Sequence, residues 1–144
     1  MKALVVYDST NGSADKVAEA ICSGMKQMGH ADAVCKAASN VTAADLQGAD
    51  VWVMGSPNGF LAGRKVGKVL KSAPGGTKVK GFVFDTRPSN LTMGSADKIA
   101  AAMSAKGVNV VGQTYFSLGP GKALMDGEEG LAVAYGRNLA NNVK

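Results

Sequence analysis

Residues 2–18 have the sequence KALVVYDSTNGSADKVA. A short apolar run leads into a turn of hydroxyl, amide and glycine residues, and the turn leads into a segment with helical periodicity. Beyond the turn, apolar side chains recur at spacings typical of one helix face, at Val17, Ile21, Met25 and Met28. Gly29 follows them, where a helix commonly ends. The stretch therefore predicts a strand, a tight turn and an amphipathic helix.

The same alternation continues along the rest of the chain. Apolar runs occupy residues 3–7, 33–35, 51–55, 79–84 and 108–116. Segments predicted as helices follow them at 42–46, 63–72, 95–106 and 127–142. Several of the runs are apolar at consecutive positions, which is typical of strands covered on both faces. The sequence therefore predicts an α/β fold with a doubly wound five-stranded parallel sheet, helices on both faces, and ligands at the carboxyl ends of the strands.

Length and composition limit the class of protein. A chain of 144 residues suits one domain, which we predict to span residues 1–144. With 46% hydrophobic and 19% charged residues, the chain is typical neither of a disordered segment nor of a membrane protein. The net charge of +5 suits an anionic ligand, a nucleic acid or an acidic partner. The basic residues are spread along the chain without a nucleic-acid-binding motif, so we expect no nucleic acid as partner.

The cysteine and histidine content excludes several kinds of site. Cys22, Cys35 and His30 are too few for a disulfide framework or a four-ligand zinc site, and we predict both cysteines to be small core residues. No Ser/His/Asp arrangement or nucleophile elbow is present. The N-terminal apolar stretch is too short for a signal peptide, so we expect a cytoplasmic protein that does not bind membranes.

Three loops at the predicted carboxyl edge of the sheet carry the candidate binding residues. The loop after the first strand leads into a helix N-terminus, where backbone N–H groups, hydroxyls and the helix dipole suit a phosphate monoester. An ordinary capped turn would have a similar composition. The loops after the third and fourth strands contain Phe60, which suits stacking on an aromatic ring, and Arg87. The alternatives are a Phe60 buried against the next helix and an Arg87 exposed on the surface.

These motifs, in this order, resemble the flavodoxin family over essentially the whole chain. Residues 2–18 are similar to its phosphate-binding signature, and Gly55-Ser56-Pro57 with Phe60 is similar to its second flavin loop. Asp85-Thr86-Arg87, followed by Gly94-Ser95-Ala96, resembles the third loop, and no insertion interrupts the fifth strand, as in the short-chain group.

The resemblance implies an FMN-binding protein that carries electrons between redox partner proteins, as a monomer or weak dimer. It implies that Ser9, Asn11, Gly12 and Ser13 hold the phosphate, while the second and third loops enclose the isoalloxazine. Acidic partners suit the positive charge of the chain. The full set of implied cofactor-binding residues is Ser9, Thr10, Asn11, Gly12, Ser13, Ala14, Ser56, Pro57, Asn58, Gly59, Phe60, Asp85, Thr86 and Arg87.

The chain departs from the family pattern at two places. Ala14 stands where the family often has threonine, so one hydroxyl donor is lost. No aromatic residue lies between Thr86 and Ser95 to stack on the flavin. Two alternatives therefore stay open, an enzyme similar to NAD(P)H:quinone reductases and an interaction domain of the same fold that has lost FMN.

Overall fold

A computed structural model describes residues 1–8, 13–29, 31–57, 64–73, 75, 78–88 and 94–142. Within these residues a parallel sheet has the strand order β2-β1-β3-β4-β5. The strands are β1 (Lys2–Tyr7), β2 (Asp32–Ala37), β3 (Val51–Pro57), β4 (Lys80–Pro88) and β5 (Asn109–Leu118). The helices are α1 (Ser13–Lys26), α2 (Ala43–Gln47), α3 (Arg64–Ser72), α4 (Ser95–Ala105) and α5 (Glu128–Asn142).

The sheet has a hydrophobic core on each face. Successive side chains of β1 point to opposite faces, so Val5 packs with residues of α1 and α5. Leu4 and Val6 pack instead with residues of α2, α3 and α4. The apolar runs are therefore buried on both sides, and the predicted doubly wound sheet with helices on both faces is confirmed.

The predicted helix ends follow from local chemistry. The sequence has a threonine at 42 and an acidic residue three positions later, which is typical of a helix start, and Thr42 and Asp45 do form a reciprocal capping box at the start of α2. Beyond the ends of α1 and α4, Gly29 and Gly107 adopt positive φ values of 76° and 89°. Glycine adopts this left-handed conformation at little cost, so it is the residue expected there.

Strands β3 and β4 run further than the sequence predicts. Ser56 and Pro57 belong to β3, and Asp85, Thr86 and Arg87 belong to β4, so the prediction that these five residues lie in loops is wrong. Their polar side chains interrupt the apolar runs, but they pair across the sheet as Ser56 with Asp85 and Pro57 with Thr86. The strands continue because these polar groups find partners inside the protein, which sequence periodicity alone does not reveal.

The two cysteines differ in their surroundings. Cys22 is buried in the core under α1, as predicted, whereas Cys35 is only half-buried. The prediction of a core position for Cys35 is therefore only partly correct. Cys35 lies on β2, and this strand is at an edge of the sheet, where one side of the backbone has no neighbouring strand.

In the part of the chain that the structure describes, no helix has the length and apolar character needed to cross a membrane.

Candidate functional site

Buried polar side chains are concentrated at the carboxyl edge of the sheet. Within the described residues, every polar or charged side chain classed as buried lies at the end of β1, β3 or β4, or at the first residue of α1 or α4. Buried polar groups cost free energy unless they are hydrogen-bonded, so such a concentration requires a network of partners. The residues are Asp8, Ser13, Ser56, Asp85, Thr86, Arg87 and Ser95.

Two hydroxyl pairs join this edge of the sheet to the helices. Ser13 Oγ and Thr86 Oγ1 are 3.2 Å apart, which joins the start of α1 to β4. Ser56 Oγ donates to Ser95 Oγ at 2.7 Å, which joins β3 to the start of α4. The two pairs place the N-termini of α1 and α4 beside the same group of strand ends.

Asp85 and Arg87 form a buried ion pair. Arg87 Nε donates to Asp85 Oδ1 at 2.7 Å, and a terminal guanidinium nitrogen donates to Oδ2 at 3.0 Å. The guanidinium carbon lies 4.3 Å from the centroid of the Tyr115 ring, a cation–π contact. Arg87 is only 7% exposed, so it is not the surface arginine of the alternative interpretation. Its charge is compensated by Asp85.

The Asp85 carboxylate also occupies the N-terminus of α4. The backbone N–H of Ala96 donates to Asp85 Oδ2 at 3.0 Å, satisfying one of the first amides of the helix. Gly94 makes this approach possible, because a Cβ atom there would overlap the Asp85 carboxylate. A negative charge at this position is also favoured by the helix dipole.

The Asp8 carboxylate accepts a hydrogen bond at the start of α3, as the Asp85 carboxylate does at the start of α4. The backbone N–H of Lys65 donates to Asp8 Oδ2 at 3.2 Å, while the backbone N–H of Asp8 donates to the carbonyl of Gly55 at 3.0 Å. Asp8 is 2% exposed, and its Oδ1 has no hydrogen-bond partner among the described residues. Most buried polar atoms have a hydrogen-bond partner, so this buried Oδ1 makes the end of β1 a polar part of the edge.

The structure brings together some of the site residues that the sequence predicts. Ser13 and Ala14 are buried at the start of α1, and they lie at the same edge of the molecule as the predicted residues of β3 and β4. The predicted set of cofactor-binding residues did not include Asp8 or Ser95, although Asp8 lies within the 2–18 motif and Ser95 within Gly94-Ser95-Ala96. The predicted residues that lie outside the described part of the chain are Ser9, Thr10, Asn11, Gly12, Asn58, Gly59 and Phe60.

This arrangement suits the binding of an anionic ligand. It offers hydroxyl donors and the positive end of a helix, but its carboxylates are engaged with an arginine and with backbone amides. Among the described residues no group of three or more His, Cys, Asp or Glu side chains is placed to hold a metal ion.

Comparisons with known proteins agree with this geometry. No protein-family model matches the sequence, and no curated protein matches it. Among solved structures, a flavodoxin from the domain Archaea superposes with a TM-score of 0.77 and 24% identity over 99% of each chain. Flavodoxin 1 from Bacillus cereus gives a TM-score of 0.78 and 14% identity over 100% of each chain.

A short-chain flavodoxin associated with a bacterial microcompartment gives a TM-score of 0.77 and 16% identity. That superposition covers 100% of this chain and 99% of the other. At these identities the likeness concerns the fold, and it extends over the entire length of both chains. The chain therefore has the flavodoxin fold.

Proposed function

We propose that this protein binds FMN at the carboxyl edge of its sheet and carries electrons between redox partner proteins. The observation that carries the proposal is the concentration of buried polar side chains at this edge, in a chain with the flavodoxin fold. Open α/β sheets bind ligands at the carboxyl ends of their strands, and the edge lies where that rule places a ligand.

The residues at the edge fit the cofactor that we propose. Ser13 begins α1, and its hydroxyl is buried beside Thr86, so it is positioned to donate to an anion at the helix N-terminus. We propose that the phosphate lies there, held by Ser9, Asn11, Gly12 and Ser13. Ala14 is fully buried at the next position, so backbone amides have to supply the contact that a threonine hydroxyl would make.

The second and third loops are proposed to enclose the isoalloxazine. Pro57 and Thr86 pair directly across the sheet, so the segments that continue from these strands begin side by side. In the proposal, Ser56–Phe60 and Asp85–Arg87 would together enclose the ring. Because Arg87 is paired with Asp85, it contributes little net charge to the ring. FMN would supply the redox chemistry, and the chain would bind it, orient it and exclude water.

The proposal includes the remaining expectations from the sequence. Residues 1–144 act as one domain, the protein is a monomer or weak dimer in the cytoplasm, and its redox partners include acidic proteins that complement the charge of +5. The identities of the donor and acceptor proteins are left to experiment.

The direct test is an FMN titration of the flavin-free protein, followed by the quenching of flavin fluorescence. We expect saturable binding of FMN and much weaker binding of riboflavin, because riboflavin lacks the phosphate. Ser13→Ala removes a hydrogen bond to a charged group, for which about 1.5–3 kcal/mol is typical. The dissociation constant for FMN should therefore rise by about ten- to a hundredfold.

Ser72→Ala is the matched control for this substitution. Among the described residues, the Ser72 hydroxyl donates to the carbonyl of Val69 at the far end of α3, so its loss should leave FMN affinity unchanged. Absence of FMN binding by the wild-type chain would contradict the proposal and favour an interaction domain. Oxidation of NAD(P)H by the purified protein alone, with a quinone as acceptor, would favour an enzyme instead of a carrier.

A further inference from the structure

The two cysteines of the chain lie next to each other, away from the proposed flavin site. Cys22 projects from α1 and Cys35 from β2, and the two residues line the same cavity. Cys22 follows Ser13 by nine residues, a distance of about 14 Å along the helix axis. The sequence contains only these two cysteines. Any disulfide within one chain must therefore join them.

The pair opens into a cavity of about 470 Å³ between α1 and β2. Cys22 is 4% exposed and Cys35 is half-buried, and the cavity is the route by which the proposal lets a small reagent approach them. The other side chains that line it are polar, and they are those of Glu19, Ser23, Lys26 and Gln27.

The surroundings make the two thiols chemically different. The neighbouring Cys35 thiol lowers the pKa of the Cys22 thiol, and the Lys26 ammonium acts in the same direction, while burial and Glu19 oppose them. The Cys22 thiol, together with burial, raises the pKa of Cys35. These opposite directions favour Cys22 as the nucleophile of the pair and Cys35 as the thiol that retains its proton.

We propose that Cys22 and Cys35 form a redox-modification site, at which a peroxide oxidises the two thiols to an intramolecular disulfide. The Cys22 thiolate attacks one oxygen of hydrogen peroxide, so that an S–O bond forms, the O–O bond breaks and the released hydroxide takes up a proton as water. The Cys35 sulfur then attacks the Cys22 sulfur. The S–S bond forms, the S–O bond breaks, and the Cys35 proton leaves with the hydroxide as a second water.

This order of events limits the damage that oxidation causes. The peroxide gains two electrons and the two sulfur atoms lose them, so the reaction ends at a disulfide that a dithiol reductant reverses. A cysteine without such a neighbour continues to sulfinic and sulfonic acids, which are essentially irreversible. The position of Cys35 beside Cys22 thus protects Cys22 from irreversible oxidation. The proposal does not depend on FMN binding.

Intact-mass spectrometry of the full-length protein tests the proposal. After treatment with hydrogen peroxide, the monomer should lose about 2 Da, the mass of the two hydrogen atoms removed when a disulfide forms. Both thiols should disappear at the same rate, and dithiothreitol should restore them. A wild-type monomer that gains about 16 Da per added oxygen without the loss of 2 Da would overturn the proposal, as would disulfide formation only between chains.

Variants separate the roles of the two thiols. Cys35→Ser should convert the product from a disulfide to oxygen adducts on Cys22, because the second thiol is missing. Cys22→Ser should react more slowly with peroxide than Cys35→Ser, and an equal or faster rate would contradict the assignment of Cys22 as nucleophile. Ser23→Ala lies in the same cavity and should form the disulfide at the wild-type rate. The thermal denaturation midpoint of each variant serves as the independent check that the fold is retained.

Discussion

Asp85 is the residue on which the polar edge of the sheet depends. Its carboxylate accepts hydrogen bonds from two guanidinium nitrogens of Arg87 and from the backbone N–H of Ala96. A buried carboxylate is stable only when such donors replace water, so removal of any one of them leaves the remaining charge poorly compensated. Asp85 thereby couples the end of β4 and the start of α4.

Gly94→Ala tests this coupling at a single residue. A Cβ at position 94 would overlap the Asp85 carboxylate, so the ion pair or the start of α4 has to move. We expect the free energy of unfolding to fall by about 1–3 kcal/mol, as for other overpacked sites. Chemical denaturation measures the change.

Gly67→Ala is the matched control for this change. It places the same methyl group in the interior of α3, where a Cβ would have no neighbour within 4 Å. There the better helix propensity of alanine should raise stability by up to about 1 kcal/mol. If both substitutions changed the free energy of unfolding equally, the crowding at Asp85 would not be destabilising.

At the scale of elements, α1 and α5 form the closest helix pair on their face of the sheet. Gly24 of α1 faces the backbone carbonyl of Val133, and Gly136 of α5 faces the backbone carbonyl of Ile21. Both glycines are buried, and a Cβ on either would overlap main-chain atoms. The two helices therefore approach as closely as they do because neither has a side chain at these positions. The contact secures α1, whose first residue belongs to the proposed phosphate site.

Gly136→Ala should force α1 and α5 apart. Main-chain atoms cannot move aside as a flexible side chain can, so we expect a loss of about 1–3 kcal/mol in the free energy of unfolding, and a lower FMN affinity if α1 shifts. Gly130→Ala in the same helix has open space around it and should be neutral or stabilising. A thermal denaturation midpoint for Gly136→Ala as high as that of Gly130→Ala would contradict the proposed role of the contact.

At the scale of the whole molecule, a chain of aromatic rings connects β4, β5 and α5. Phe84 meets Phe116 edge-to-face with ring centroids 6.3 Å apart, and Phe116 meets Tyr135 in the same way at 6.2 Å. Burial raises the pKa of the Tyr135 hydroxyl to about 12, because the phenolate would lose its hydration. The folded protein therefore holds this proton more tightly than the unfolded chain, in which the pKa is near the ordinary value of 10.0.

Alkaline stability should reflect this difference. Below pH 10 neutral Tyr135 contributes its full stability, and as the pH rises from about 10 towards 12 the unfolded chain loses its proton first, so the free energy of unfolding falls. Tyr135→Phe should lessen this fall, which denaturant unfolding at a series of pH values measures. Tyr115→Phe removes an exposed hydroxyl and should behave as the wild type does. The same slope in all three proteins would refute the prediction.

Much of the fold was predictable because it follows from local periodicity. The helix face at Val17, Ile21 and Met25 is buried as predicted, and the capping box of Thr42 and Asp45 lies where the sequence indicates. These features depend on residues within a turn or two of each other, so the sequence displays them directly. The likeness of the loop motifs to flavodoxins likewise led to the correct fold.

The sequence by itself determined the order of strands and helices, and it indicated which edge of the sheet carries the polar residues. Only the tertiary structure decided that Asp85 and Arg87 form a buried pair at the N-terminus of α4, and that Cys22 and Cys35 share a cavity. The physical reason is that burial depends on elements far apart in the chain: Asp85 and Arg87 are only two residues apart, but other elements bury them and supply the Ala96 amide. A charge that interrupts an apolar run therefore resembles a loop until its surroundings are known.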